Sequence, residues 1–64
     1  MFHWISLEDR LLGRHVFLKV ERLDDVYHVL GGESCPATAV QMRVDTLGSR
    51  EGYQFIQGLY YVQR

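Results

Sequence analysis

Apolar and polar positions alternate with a period of two along most of this chain, which is the signature of half-buried strands. In R-H-V-F-L-K-V-E, residues 14–21, Val16, Leu18 and Val20 share one face, while His15, Phe17, Lys19 and Glu21 share the other. The turn R-L-D-D follows, with Asp24 and Asp25 suited to tight geometry. V-Y-H-V-L, residues 26–30, predicts a second strand that is apolar on both faces, so a one-residue change of register reverses it. Thr38 to Thr46 alternates most cleanly, with Val40, Met42 and Val44 on one side and Gln41, Arg43 and Asp45 on the other, and predicts a third strand. The turn L-G-S-R-E-G leads to a fourth, opened by Tyr53 and Phe55 on one face. Gly58 interrupts that alternation and marks a bulge or bend before L-Y-Y-V.

A helix period occurs once in this reading, at the N-terminus. In S-L-E-D-R-L-L-G, Ser6 offers an N-cap, Glu8 and Asp9 sit where the helix dipole favours acidic groups, and Leu7 and Leu11 are four apart. Gly13 is a natural stop. The expectation is a short helix at 6–12, leaning on the sheet because two turns are marginal alone. Gly31-Gly32-Glu33-Ser34-Cys35-Pro36-Ala37 is expected as a loop. The predicted class is α+β or mostly β: a short N-terminal helix, then a four-stranded antiparallel meander. Such strands curl into a small SH3-like or Sm-like barrel, or lie as an open four-stranded sheet with the helix across one face.

Size sharpens this picture. Sixty-four residues make a single domain, residues 1–64. A chain this short buries only about 60% of its unfolded surface. One cysteine rules out an internal disulfide, leaving oligomerisation or a partner as the leading source of extra stability. The inward sets Val16/Leu18/Val20, Tyr27/Val29, Val40/Met42/Val44 and Tyr53/Phe55, with Leu7 and Leu11 over them, already fill one face of a sheet. Phe17, Val26, His28, Ile56, Tyr60 and Trp4 are then in surplus, and large exposed apolar patches mark interaction sites. Phe17, His28, Ile56, Tyr60 and Trp4 are the expected partner-binding residues.

Charge and chemistry narrow the function. Seven Lys+Arg against eight Asp+Glu give a net charge of −1, with no basic footprint. A small barrel could still bind single-stranded nucleic acid by stacking on Tyr27, Phe55, Tyr60 and Tyr61. Acidic residues interleave with Arg14, Lys19, Arg43, Arg50 and Arg64, however, and weaken the field that phosphates need. Cys35 with a histidine and an aspartate would be needed for thiol catalysis, but no local signature ties them together. G-G-E-S-C lacks the second glycine of a nucleophile elbow. His3, His15, His28 and Cys35 lack the close pairing of a zinc site, and Gly31-Gly32 lacks the Gly-Lys-Ser/Thr ending of a phosphate loop.

No cofactor or metal is therefore expected. The apolar runs are too short to span a bilayer, and M-F-H-W-I-S-L-E-D does not read as a signal peptide. With its lone cysteine the chain suits a reducing cytoplasm. The sequence points to a non-enzymatic protein-interaction module, a regulator or inhibitor of a larger protein machine of the accessory or mobile-element (phage) type. Its partner would be another protein or, as a homo-oligomer, itself.

Overall fold

The computed structural model describes residues 2–62, with the backbone alone for 57–62. Along the chain run β1 (Phe2–Asp9), β2 (Arg14–Leu23), β3 (Val26–Pro36), a 3-10 turn (Ala37–Ala39), α1 (Val40–Gly48) and β4 (Tyr53–Val62). The sheet order is β3-β2-β1-β4. The β1–β2 and β2–β3 pairs are antiparallel, whereas β4 runs parallel to β1. Parallel neighbours need a crossover, and α1 makes one from the β3 edge to the β4 edge.

Three expectations are corrected here. The N-terminal helix at 6–12 is absent: residues 2–9 are β1, and α1 lies late in the chain. Ser6 does not cap a helix but points into the protein, 2% exposed. Leu11 and Leu12 fall in the β1–β2 loop, 66% and 58% exposed, so the Leu7–Leu11 spacing has no helical face to serve. Asp9 Oδ1 accepts the Leu12 amide at 3.2 Å, and Gly13 takes φ +63° to enter β2.

The strand expected at 38–46 is instead helical. Val40 and Val44 carry a period of four as well as a period of two, and the fully buried Leu47 extends the helical one to i, i+4, i+7. Met42, which the strand reading turned inward, is 76% exposed. Pro36 precedes the turn and ends the ladder of β3, since it has no N–H to continue pairing. The third correction follows from the second. A helix between β3 and β4 makes the sheet mixed rather than an antiparallel meander, and it leaves β3 and β4 as two separate edges rather than the seam of a barrel.

The strands expected at 14–21 and 26–30 lie within β2 and β3, although β3 continues through the Gly31–Pro36 stretch read as a loop. Gly58 also sits where its interruption suggested. Between Trp4↔Phe55 and Ser6↔Leu59, β1 advances two residues while β4 advances four.

The core lies between the sheet and α1. Trp4, Phe17, Cys35 and Leu47 form it, with Ala39, Val40, Val44, Tyr53 and Phe55 packed around them. Phe17 lies 6.1 Å from Phe55 and Trp4 5.3 Å from Tyr53, ring centre to ring centre. Arg43 and Arg50 both pair with Glu33 of β3, tying the helix side of the crossover to the sheet, and Arg50 lies 5.3 Å over the Trp4 ring. At the start of the crossover the Ala37 amide donates to Gly13 O at 3.1 Å.

Candidate protein interface

Strand register decides which side chains α1 covers. Trp4 and Ser6 of β1 stand opposite Lys19 and Phe17 of β2, and His15 stands opposite Cys35 of β3. These residues, with Tyr53 and Phe55, share the face toward α1. The set Val16, Leu18 and Val20 therefore lies on the far face, reversing the inward assignment made for β2 from alternation alone.

On that far face β1 contributes His3, Ile5 and Leu7, β2 contributes Val16, Leu18 and Val20, β3 contributes Tyr27 and Val29, and β4 contributes Gln54, while Ile56 falls in the irregular stretch of β4 where no partner in β1 fixes its face. Among the described residues no helix or strand packs over it. Ile5, Leu7, Val16 and Leu18 are half-buried by their own neighbours, and Val29 is 61% exposed. Gly32 gives Leu18 room to lie flat, since a Cβ there would come 3.0 Å from Leu18 Cδ2.

One end of the face is partly closed. His3 and Tyr27 stand on strands flanking β2, opposite Val20 and Arg22, so their backbones are about 12 Å apart. Their rings nevertheless meet edge to face with centres 6.0 Å apart. The two rings thus arch over β2 and enclose Val20, which is fully buried although it lies outside the core under α1. Charged groups lie toward the ends: Arg14 donates to Ser34 Oγ at 3.2 Å, and Arg22 lies 6.0 Å over the Tyr27 ring. The middle, from Ile5 to Leu18, is aliphatic.

The five residues expected to bind a partner separate. Trp4 and Phe17 are both 0% exposed beneath α1, which takes them out of any surface. Ile56 is half-buried in the irregular stretch of β4, and His28 is exposed on the face of β3 opposite the open one, paired with Glu21. The Tyr60 side chain lies outside the described residues. Ile5, Leu7, Val16 and Leu18 were passed over as surface residues. The signal was the alternation of F-H-W-I-S-L-E-D, read instead as the approach to a helix.

The fold also assembles a polar cluster that sequence spacing did not show. Ser6 Oγ and His15 Nε2 lie 2.7 Å apart, with Glu8 and Cys35 as the register neighbours of His15 on either side. Burial lowers the His15 pKa from its ordinary value, and the Glu8 charge opposes that shift. In the neutral tautomer with its proton on Nδ1, His15 accepts a hydrogen bond from the Ser6 hydroxyl at Nε2; in the other tautomer Nε2–H donates to Ser6 Oγ. A hydroxyl beside an imidazole has the form of an activated nucleophile. At 2% and 3% exposure, however, Ser6 and His15 are sealed from a substrate, and the pair satisfies two polar groups inside the core.

The histidines and Cys35 do not converge. His15 and Cys35 meet under α1, His3 lies on the open face, and no group of three or more metal-ligating side chains forms among the described residues. No described helix is long and apolar enough to cross a membrane. The chain matches no family model, no curated protein and no solved structure.

Proposed function

We propose that this chain is a non-enzymatic protein-interaction module whose contact surface is the uncovered face of its sheet. One observation carries the reading: the open face places Ile5, Leu7, Val16 and Leu18 side by side with no covering element among the described residues. Contiguous apolar surface of this kind marks docking sites on small proteins. The fold is 32 Å by 26 Å in its two longer dimensions, which bounds the sheet face at about 800 Å², the usual footprint of one partner in a stable complex. Val29 and Tyr27 at its border are exposed enough to enter a partner's pockets.

A role as regulator or inhibitor of a larger protein machine, in a reducing cytoplasm, suits the chain's size and its single buried thiol. Single-stranded nucleic acid is the weaker occupant. Arg43 and Arg50 are engaged by Glu33, and Arg22 by Asp25. Phe55 is packed against the core rather than presented for stacking.

The test compares Leu18→Glu on the open face with Met42→Glu on the exposed side of α1. Each tagged variant is expressed in the native host, and co-purifying protein is quantified at matched levels of folded bait. A stoichiometric protein retained by Met42→Glu and lost with Leu18→Glu supports the surface. Equal retention by both variants sinks it.

A further inference from the structure

We infer that the occupant of the open face is a second copy of this chain, the two sheets stacking face to face into a sandwich with an α1 on each outer side. This rests on the docking reading and names its partner.

Three observations favour a copy over a foreign protein. The first is chemistry. Between its ends the described side chains of the face are aliphatic and uncharged, with Ile5 and Leu7 beside Val16 and Leu18. Among the described residues its middle carries no charged group of the kind by which a surface selects an unlike partner. Its complement is another flat, aliphatic sheet surface, and a two-fold interface uses one patch twice.

The second is geometry. Sheets pack about 10 Å apart when inward side chains from both interdigitate, which needs two faces of one kind. Leu18 lies across Gly32 and fills the space that a side chain there would take, which keeps this part of the face low and flat enough for a second sheet to approach. The area allows it too: a face of up to about 800 Å² on each copy reaches an interface of standard size.

The third is folding. Among the described residues the core under α1 has three fully enclosed apolar side chains, Trp4, Phe17 and Leu47, with Cys35 nearly so. A chain of this size needs further burial, and a second copy is available wherever the chain is made. The edge of β3 is the competing contact, because Val26 and Leu30 are 57% and 50% exposed there. The register shift opposite Lys19 and Val20 leaves Leu30 as an extra residue, and such a bulge twists an edge away from further pairing.

The experiment is size-exclusion chromatography with light scattering on the whole chain, from low micromolar to several hundred micromolar. It compares wild type, Val29→Glu, Leu18→Glu and His28→Lys, each checked for folding by circular dichroism. Val29→Glu is the safe variant, since Val29 is 61% exposed and its replacement removes little packing within one copy. The wild type is expected at twice its 7.5 kDa mass. Val29→Glu and Leu18→Glu should raise the dimer dissociation constant by about 100-fold or more by burying unpaired carboxylates, while His28→Lys stays dimeric.

A wild type that remains monomeric throughout overturns the second-copy assignment, leaving the docking surface to the co-purification comparison. A dimer lost with His28→Lys but kept with both glutamates places the contact on the β3 edge and also overturns it. If neither glutamate alters self-association or co-purification, the docking reading has failed as well.

Discussion

Replacing Phe17 by alanine separates the two possible assignments of β2 more sharply than any other change. If Phe17 were a contact residue on an outer face, its truncation would leave the fold intact and weaken association. The register instead places it under α1, 0% exposed, between His15 at 4.8 Å and Phe55 at 6.1 Å between ring centres. A buried Phe→Ala change costs about 3–5 kcal/mol, because transfer energy and a cavity are both lost. At roughly 0.05–0.15 kcal/mol per residue, a fold of this size holds only about 3–10 kcal/mol in all. Phe17→Ala should therefore remove about a third of the stability or more, up to all of it, and Phe17→Leu about 1 kcal/mol.

Urea unfolding at fixed protein concentration, followed by circular dichroism and by the single, fully buried Trp4, reads this directly. With a slope of about 1 kcal/mol/M, the alanine midpoint falls by about 3 M or the folded baseline disappears. A Phe17→Ala midpoint within about 0.5 M of wild type would refute the face assignment, and with it the open surface built from Val16 and Leu18.

Two further outcomes follow from single sites. His15 binds a proton less readily in the folded chain than in the unfolded one. Stability should therefore be fully retained above the ordinary histidine value of about 6.5 and decline as pH falls from there toward the lowered folded value. His15→Asn should abolish that part of the slope in pH-dependent urea midpoints, and an unchanged slope means another group is responsible. Asp24 holds φ +56° in the β2–β3 turn, a conformation that glycine takes freely and β-branched residues resist. Asp24→Val should lower stability by about 1–2 kcal/mol and Asp24→Gly should not, as thermal unfolding will report.

Much of the local structure was written in residue order. The alternation in 14–21, the Asp24-Asp25 turn, the apolar V-Y-H-V-L run and the Gly58 interruption all correspond to observed features, because strand period and turn chemistry are local properties. The surplus of apolar side chains over one sheet face was legible for the same reason. It was a matter of counting, although the count took Val40, Met42 and Val44 as sheet residues, whereas α1 carries them.

Which residues form that surplus was decided by tertiary structure. Val16, Leu18 and Val20 alternate with His15, Phe17 and Lys19, and nothing within β2 says that Phe17 rather than Leu18 meets the core. The answer comes from α1, which lies on one side of the sheet and encloses Trp4 and Phe17 there. Alpha1 itself was ambiguous, since Val40 and Val44 satisfy both periods; burial of Leu47 and exposure of Met42 resolve it. Ser6 shows the same limit from the polar side. A serine before Leu-Glu-Asp is a good helix cap in isolation, yet the chain uses it as a buried partner for His15, nine residues on, in a hydrogen bond that exists only once β1 and β2 have paired. Local sequence set the periods and the breaks. Long-range pairing chose the faces, because a strand with apolar residues on both sides has no inward direction until another layer covers one of them.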